Sequence, residues 1–219
     1  MRITPLLVAR PPKARAVEVT AVASDLPVPE GAAPGLFRAV LAGTLTARQT
    51  ALDALLAQGV LAHDQAPSMW VYRVVHAGRR WVGVFCGVET ADLAHLAEAH
   101  PTAVAEAEEV LRAMGKQLEP IVVHCHMPEG VLDLYIHDTN ERPAYHFVAS
   151  DGATHSAWTI RNADAYVELL VAASPRAVLR GAAQLAAVHR MSVPAMAILT
   201  RDLAELEPSL TPRSGLFIA

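Results

Sequence analysis

The chain has 219 residues, a formal net charge of −4, 53% hydrophobic residues and only 18% charged ones. That length and apolar content suit a single globular domain over residues 1–219, able to bury a real core. The acidic balance, with no basic cluster beyond "RPPKAR" and "GRR", excludes a nucleic-acid footprint. No apolar run approaches the ~20 residues of a membrane span. "MRITPLLVAR", broken by Pro5, is too short for a signal peptide. The expectation is a cytoplasmic chain with neither membrane nor nucleic-acid partner.

In chain order, "ITPLLVAR" and "AVEVTAVAS" predict strands separated by the turn-prone "PPK". "LPVPEGAAPG" is a Pro/Gly-rich connection and a candidate mobile loop. "TARQTALDALLAQGV" predicts a helix capped by Thr46, striped by Ala51, Leu52, Leu55 and Leu56, and stopped by Gly59. "SMWVYRVVHAGRRWVGVFCGV" predicts a β-hairpin turning at "HAGRR". In "HPTAVAEAEEVLRAMGKQ", Val104, Ala107, Leu111 and Met114 share a helical face, and Pro101 suits the first turn.

Three strands are then expected at "EPIVVHCHM", "VLDLYIHD" and "AYHFVAS", with Asp151-Gly152 turning the chain into a fourth, "THSAWTI". "ADAYVELLVAA" predicts an amphipathic helix. "AVLRGAAQLAAVHR" predicts strand, glycine and Ala-rich helix in succession. "VPAMAILT" is a last strand, and "TPRSGLFIA" a tail with its own turn. Strands and helices alternating in clusters predict an α/β fold, a mixed β-sheet with helices packed against it.

Candidate chemistry is sparse. His124 and His126 share one strand face, with Cys125 on the other, but no third ligand at a metal-site spacing accompanies them, so no metal is expected. Cys86 and Cys125 lie in apolar runs that suit buried free thiols. His100 heads a helix and His155 follows a turn. Either residue type could act as a general base or phosphate partner, or simply hydrogen-bond the backbone at an element end. Arg213 and Ser214 in "TPRSG" suit an anion or an ordinary turn. No nucleophile elbow, Walker loop or dinucleotide fingerprint occurs.

Several segments in order resemble the DUF1015 family, a widespread prokaryotic family of unknown function. They are "ITPLLVARP", "ALLAQGVLAHDQAPSMWVYRV", "RRWVGVFCGVE", "EAHPT", "LRAMGKQLEPI", "DGATHSAWTI" and "PRSGLFIA". The most specific is "DGATHSAWTI", with Asp-Gly, then His, then Trp. Family members are longer, so the resemblance implies a shortened member, the N-terminal half of that architecture plus its terminal tail.

The resemblance implies a ParB/sulfiredoxin-like fold, and a phosphate-binding Asp-Gly-His-His-Arg box at a strand-to-helix turn, as in nucleotide-binding partition proteins and free-serine kinases. In this sequence the box falls on "LRGAAQLA". Gly181 is kept, while Arg180, Ala182, Ala183 and Gln184 replace the reactive residues. A second register, keeping His189 and Arg190, places them inside the helix. The family's His-Glu-Thr motif survives as His100 and Thr102, with Pro101 between them. Its acidic–Arg pair is displaced to Glu108, Glu109 and Arg112.

The resemblance therefore implies binding of a nucleotide or small phosphorylated metabolite with weak or no catalysis, in a homodimer whose cofactor is unknown. Gly181 and Ala182 would offer backbone N–H groups; Arg180, Gln184, Arg213 and Ser214 would add donors, and His155 would face the ligand. One alternative is an active phosphotransferase resembling free-serine kinases, with His100 or Glu119 as base and Asp151 with Glu119 as a Mg²⁺ carboxylate pair. The other is a non-catalytic interaction scaffold.

Overall fold

The computed structural model describes residues 1–22, 26–28, 30, 35–201 and 212–219. Part of "LPVPEGAAPG", the expected mobile loop, lies outside the described residues. The N-terminal apolar run makes two short strands, β1 (Ile3–Thr4) and β2 (Ala9–Arg10). The expected strand "AVEVTAVAS" is instead a helical turn, α1 (Ala16–Val19), followed by an extended residue at Ala21. Ala16 and Val19 are three apart and both fully buried, a helical spacing that alternation alone misreads.

Two helices follow, α2 (Arg38–Leu41) and α3 (Leu45–Ala57). The cap of α3 is Thr44, not Thr46. Its hydroxyl accepts from the Ala47 amide at 3.3 Å, the spacing of a side-chain N-cap. A short β3 (Ala62–His63) pairs with β2, and β4 (Trp70–His76) and β5 (Arg79–Val88) form the expected hairpin. Beyond a 3₁₀ segment, α4 (Pro101–Met114) ends at Gly115 in a left-handed conformation.

β6 (Ile121–His126) leads into α5 (Glu129–Thr139), where the sequence predicted a strand at "VLDLYIHD". Val131, Leu134 and Tyr135 meet the core, while Leu132 and Ile136 are exposed. The inward set thus follows i, i+3, i+4, and only tertiary packing reveals which period operates. β7 (Tyr145–Val148), β8 (Thr154–Thr159), α6 (Ala163–Leu170), β9 (Ser174–Arg180), α7 (Ala182–Arg190) and β10 (Ala195–Thr200) complete the chain order.

The main sheet runs β7-β8-β4-β5-β10-β6-β9, with β1 added beside the end of β5. Every pairing is antiparallel except β10 with β6. The fold is therefore α/β with a mixed, mostly antiparallel sheet. Alternation along its strands divides the core in two. One face sends Val71, Cys86, Val123, Trp158 and Leu199 against Val131, Tyr166, Leu170, Leu185 and Val188 of α5, α6 and α7. The other gathers Trp70, Tyr72, Trp81, Phe85 and Tyr145 around Leu216 and Phe217 of the C-terminal tail.

That tail, residues 212–219, pairs Ser214 with Ala21, Ile218 with Ala9 and Ala219 with Gln117. Gly215 makes its turn at φ +82°, where a Cβ would lie 2.8 Å from the Phe37 Cβ, so only glycine fits without strain. No helix among the described residues is long and apolar enough to cross a membrane.

Candidate functional site

The strand–glycine–helix turn expected around Gly181 is present. β9 ends at Arg180, Gly181 has φ +82°, and α7 begins at Ala182. No side chain caps this helix, and the amides of its first turn have no carbonyl one turn back to bond. Only the fourth residue, Leu185, donates back to the Gly181 carbonyl, at 2.8 Å. Ala186 and Ala187 pack on Val104 and Ala107 of α4, so the alanines of "GAAQLAAVHR" let two helices approach closely. That packing leaves a cavity of about 460 Å³ lined by Gly181, Ala182, Ala183 and Gln184 on one side. Arg48 of α3 and the Lys116–Glu119 segment after α4 line the other.

Arg48, Lys116, Glu106 and Glu119 are the charged residues that line this cavity. Arg48 Nε is shielded from solvent without a hydrogen-bond partner among the described residues. Glu119, in contrast, accepts from Arg180 Nη2 at 3.0 Å and from Ser214 Oγ at 2.7 Å. Its ion pair with Arg180 is nearly buried, at 10% and 9% side-chain exposure. The Glu119 side of the cavity is thus a satisfied carboxylate, Glu106 adds a second acid to the lining, and the helix N-terminus carries partial positive charge.

Behind this wall lies a closed polar network in the core. Arg213 Nη2 donates to Asp151 Oδ2 at 2.6 Å, with both side chains under 5% exposed. Arg213 Nε donates to His155 Nε2 at 3.3 Å, its backbone amide donates to Tyr72 Oη at 3.1 Å, and Tyr72 Oη lies 2.8 Å from His155 Nδ1. A guanidinium only donates, so His155 Nε2 accepts and the ring proton resides on Nδ1. Burial, reinforced by the Arg213 charge, holds the His155 pKa well below its usual 6.5. Burial likewise raises the Tyr72 hydroxyl. The turn preceding His155 is fixed by Asp151 too, whose Oδ1 accepts from the Ala153 amide at 3.0 Å.

The structure thus brings Glu119, Arg180 and Ser214 together and sets Gly181, Ala182 and Gln184 beside Glu119 on the cavity. It does not bring in the other candidates. His155 is fully buried with both ring nitrogens engaged, and Arg213 is committed to Asp151 and His155. His100 caps the far end of α4, its Nδ1 accepting from Thr102 N at 3.4 Å. The cavity extends along α4 as far as Ala103, but His100 is not among its lining residues. Asp151 does not join Glu119 as a carboxylate pair, because each is matched to its own arginine.

In the second register, Arg190 ends α7 and pairs with Glu108 at 3.2 Å, alongside Arg112 at 3.1 Å. Among the described residues no group of three or more His, Cys, Asp or Glu could hold a metal ion. Sequence reasoning missed Arg48, Lys116 and Tyr72. Lys116 directly follows the helix-stopping Gly115, the one local signal that marked its place.

The architecture is that of an α/β protein whose mixed sheet ends one strand at a glycine turn, with an open cavity over the following helix. By sequence the chain belongs to the family described as Protein of unknown function (DUF1015), matched over residues 41–179. The Gly181 turn lies just beyond that span. Comparison with curated proteins and with solved structures gave no match.

Proposed function

We propose that this chain binds a small phosphorylated metabolite or nucleotide in the cavity between α4 and α7, without transferring the phosphoryl group. The observation that carries the reading is the uncapped start of α7 at Gly181, opening onto a cavity that also holds Arg48 and Lys116. Free amides and the positive end of a helix dipole attract a phosphate, and two cationic side chains on the opposite wall add to that field. Gly181 serves the turn because its φ of +82° disfavours a side chain.

The engagement of the candidate bases supports a reading without transfer. Glu119 is engaged by Arg180 and Ser214, and His100 is turned to its own helix. A base must be free to take the proton it removes, and these contacts occupy both groups. Among DUF1015 sequences with the Asp-Gly-His-His-Arg box, this chain would then be a binder with a degenerate site of ParB/sulfiredoxin-like type.

The test is a thermal-shift and calorimetric titration with nucleotides and phosphoserine. A ligand at 100 times its Kd stabilises by about 2.7 kcal/mol. Saturable binding should be lost in Gly181→Val, whose Cβ would press within 3.3 Å of Ile121 Cα, and weakened several-fold in Lys116→Gln. Binding that ignores both substitutions, or no binding at all, would refute the site. Robust phosphoryl transfer to serine would restore the transferase reading.

A further inference from the structure

A second cavity lies towards the opposite edge of the sheet from the first site, over β8 and β7. It measures about 450 Å³ and is lined by Lys13, Arg73, Glu141, Arg142, His146 and Trp158. Arg73 on β4 lies over the Trp158 ring at 4.7 Å. Its Nε is shielded from solvent and has no hydrogen-bond partner among the described residues. Among the described residues Lys13 donates to the Pro143 carbonyl, at 3.4 Å. Glu141, the one acid in the lining, is paired with Arg161 at 3.3 Å. His146 Nδ1 is within 3.0 Å of Ser156 Oγ.

Three cations therefore share one hollow without an ion pair to any of them among the described residues, in a chain whose net charge is −4. Their positions are imposed by separate elements: a 3₁₀ turn, a central strand and the loop between α5 and β7. Like charges held together repel unless an anion joins them, and Arg73, partly buried, keeps an Nε shielded from solvent with no acceptor among the described residues. The tryptophan holds the guanidinium plane by a cation–π contact, which leaves its donors for an oxyanion in plane. We infer that this cavity binds a doubly charged tetrahedral oxyanion of the phosphate class through Arg73, Lys13 and Arg142. The inference is independent of the Gly181 cavity, because the two share no lining residue.

Calorimetric titration of the full chain with inorganic phosphate, with sulfate, and with chloride at matched ionic strength tests it. Trp158 fluorescence, read in a Trp70→Phe, Trp81→Phe background where that variant folds, or by backbone amide shifts in the parent, locates the binding. Phosphate and sulfate should bind saturably and perturb Trp158 or its neighbours, and chloride should not. Arg142→Gln, an exposed change that spares the core, should weaken phosphate binding at least 3-fold, and Arg73→Gln at least 10-fold. Lys116→Gln in the first cavity should leave this binding unchanged. Equal response to chloride, or phosphate binding indifferent to both Arg142→Gln and Arg73→Gln, would overturn the inference. Loss of this binding in Lys116→Gln alone would assign the phosphate to the first cavity and overturn it as well.

Discussion

Removing the Asp151 carboxylate should destabilise the fold more than any surface change. In Asp151→Ala the Arg213 guanidinium stays inside the core, 3% exposed, but loses its 2.6 Å partner. Its remaining side-chain acceptor is His155 Nε2 at 3.3 Å, a neutral group that cannot balance the charge. Breaking a buried pair on one side costs about 3–5 kcal/mol, because an uncompensated charge remains. At roughly 2–4 °C per kcal/mol for a chain of this size, the melting temperature should fall by about 6–20 °C. Asp151 also caps the Ala153 amide, so Asp151→Asn, which keeps an acceptor there, separates the charge from the turn.

The comparison that decides the matter is Glu141→Ala, which removes a surface partner of Arg161 in a pair 54% and 76% exposed. Such pairs contribute about 0–1 kcal/mol. Thermal and urea unfolding followed by circular dichroism give both differences. If Asp151→Ala melts within 2 °C of Glu141→Ala, the buried network does not hold the tail and the reasoning fails. A double change, Asp151→Leu with Arg213→Met, should recover much of the loss, since replacing both partners of a buried pair by apolar groups is often neutral.

Three further outcomes follow from the same core. Because burial and the Arg213 charge keep the His155 pKa well below 6.5, the unfolded chain takes up a proton there before the folded one does; stability is complete above that pH and falls as pH drops below it, by up to ~1.4 kcal/mol per pH unit. Urea midpoints from pH 7.5 down to 5 should show that slope, and an identical slope in His155→Gln would count against it. Cys86 and Cys125 are both buried, and burial pushes the Cys125 thiol up to about 12; a thiol reagent at pH 8 should therefore label neither until the chain unfolds, and fast labelling of the native protein would contradict this. Phe217 stacks on Phe85 at 4.4 Å between ring centres, so Phe217→Ala should cost about 3–5 kcal/mol, and a calorimetric loss under 1 kcal/mol would show the tail is not part of the core.

Much of the architecture was legible where one period dominated. The hairpin of β4 and β5, the amphipathic α4 and the Gly181 turn each carried a local signal: alternation, a four-residue stripe, or a glycine between strand and helix. Cys125 between His124 and His126 fell on the core side of β6, as alternation predicts. Where two periods fit the same apolar residues, packing decided. Leu132, Leu134 and Ile136 alternate as on a strand while Val131, Leu134 and Tyr135 share a helical face, and "AVEV" is too short to distinguish the two periods. The site was less legible because its decisive partners are distant in sequence. Nothing near Arg213 marks Asp151, 62 residues earlier, as its counter-ion, and nothing in "TPRSG" foretells that Ser214 meets Glu119. Sequence motifs name residue types; they do not say which charges are already neutralised.

The placement of β10 between β5 and β6 governs how this sheet can assemble. Until residues 195–200 are available, the meander β7-β8-β4-β5 and the pair β6-β9 have no strand to join them. Each presents an open apolar edge, Val84 and Phe85 on one side and Val122 and Val123 on the other, where β10 will pair. On the ribosome those edges wait while the chain from residue 126 to residue 195 is made, several seconds at ~5–20 residues per second. Non-local pairing of this kind slows folding, and unpaired edges invite other chains. The late central strand therefore leaves two apolar sheet edges unpaired until residues 195–200 have been made.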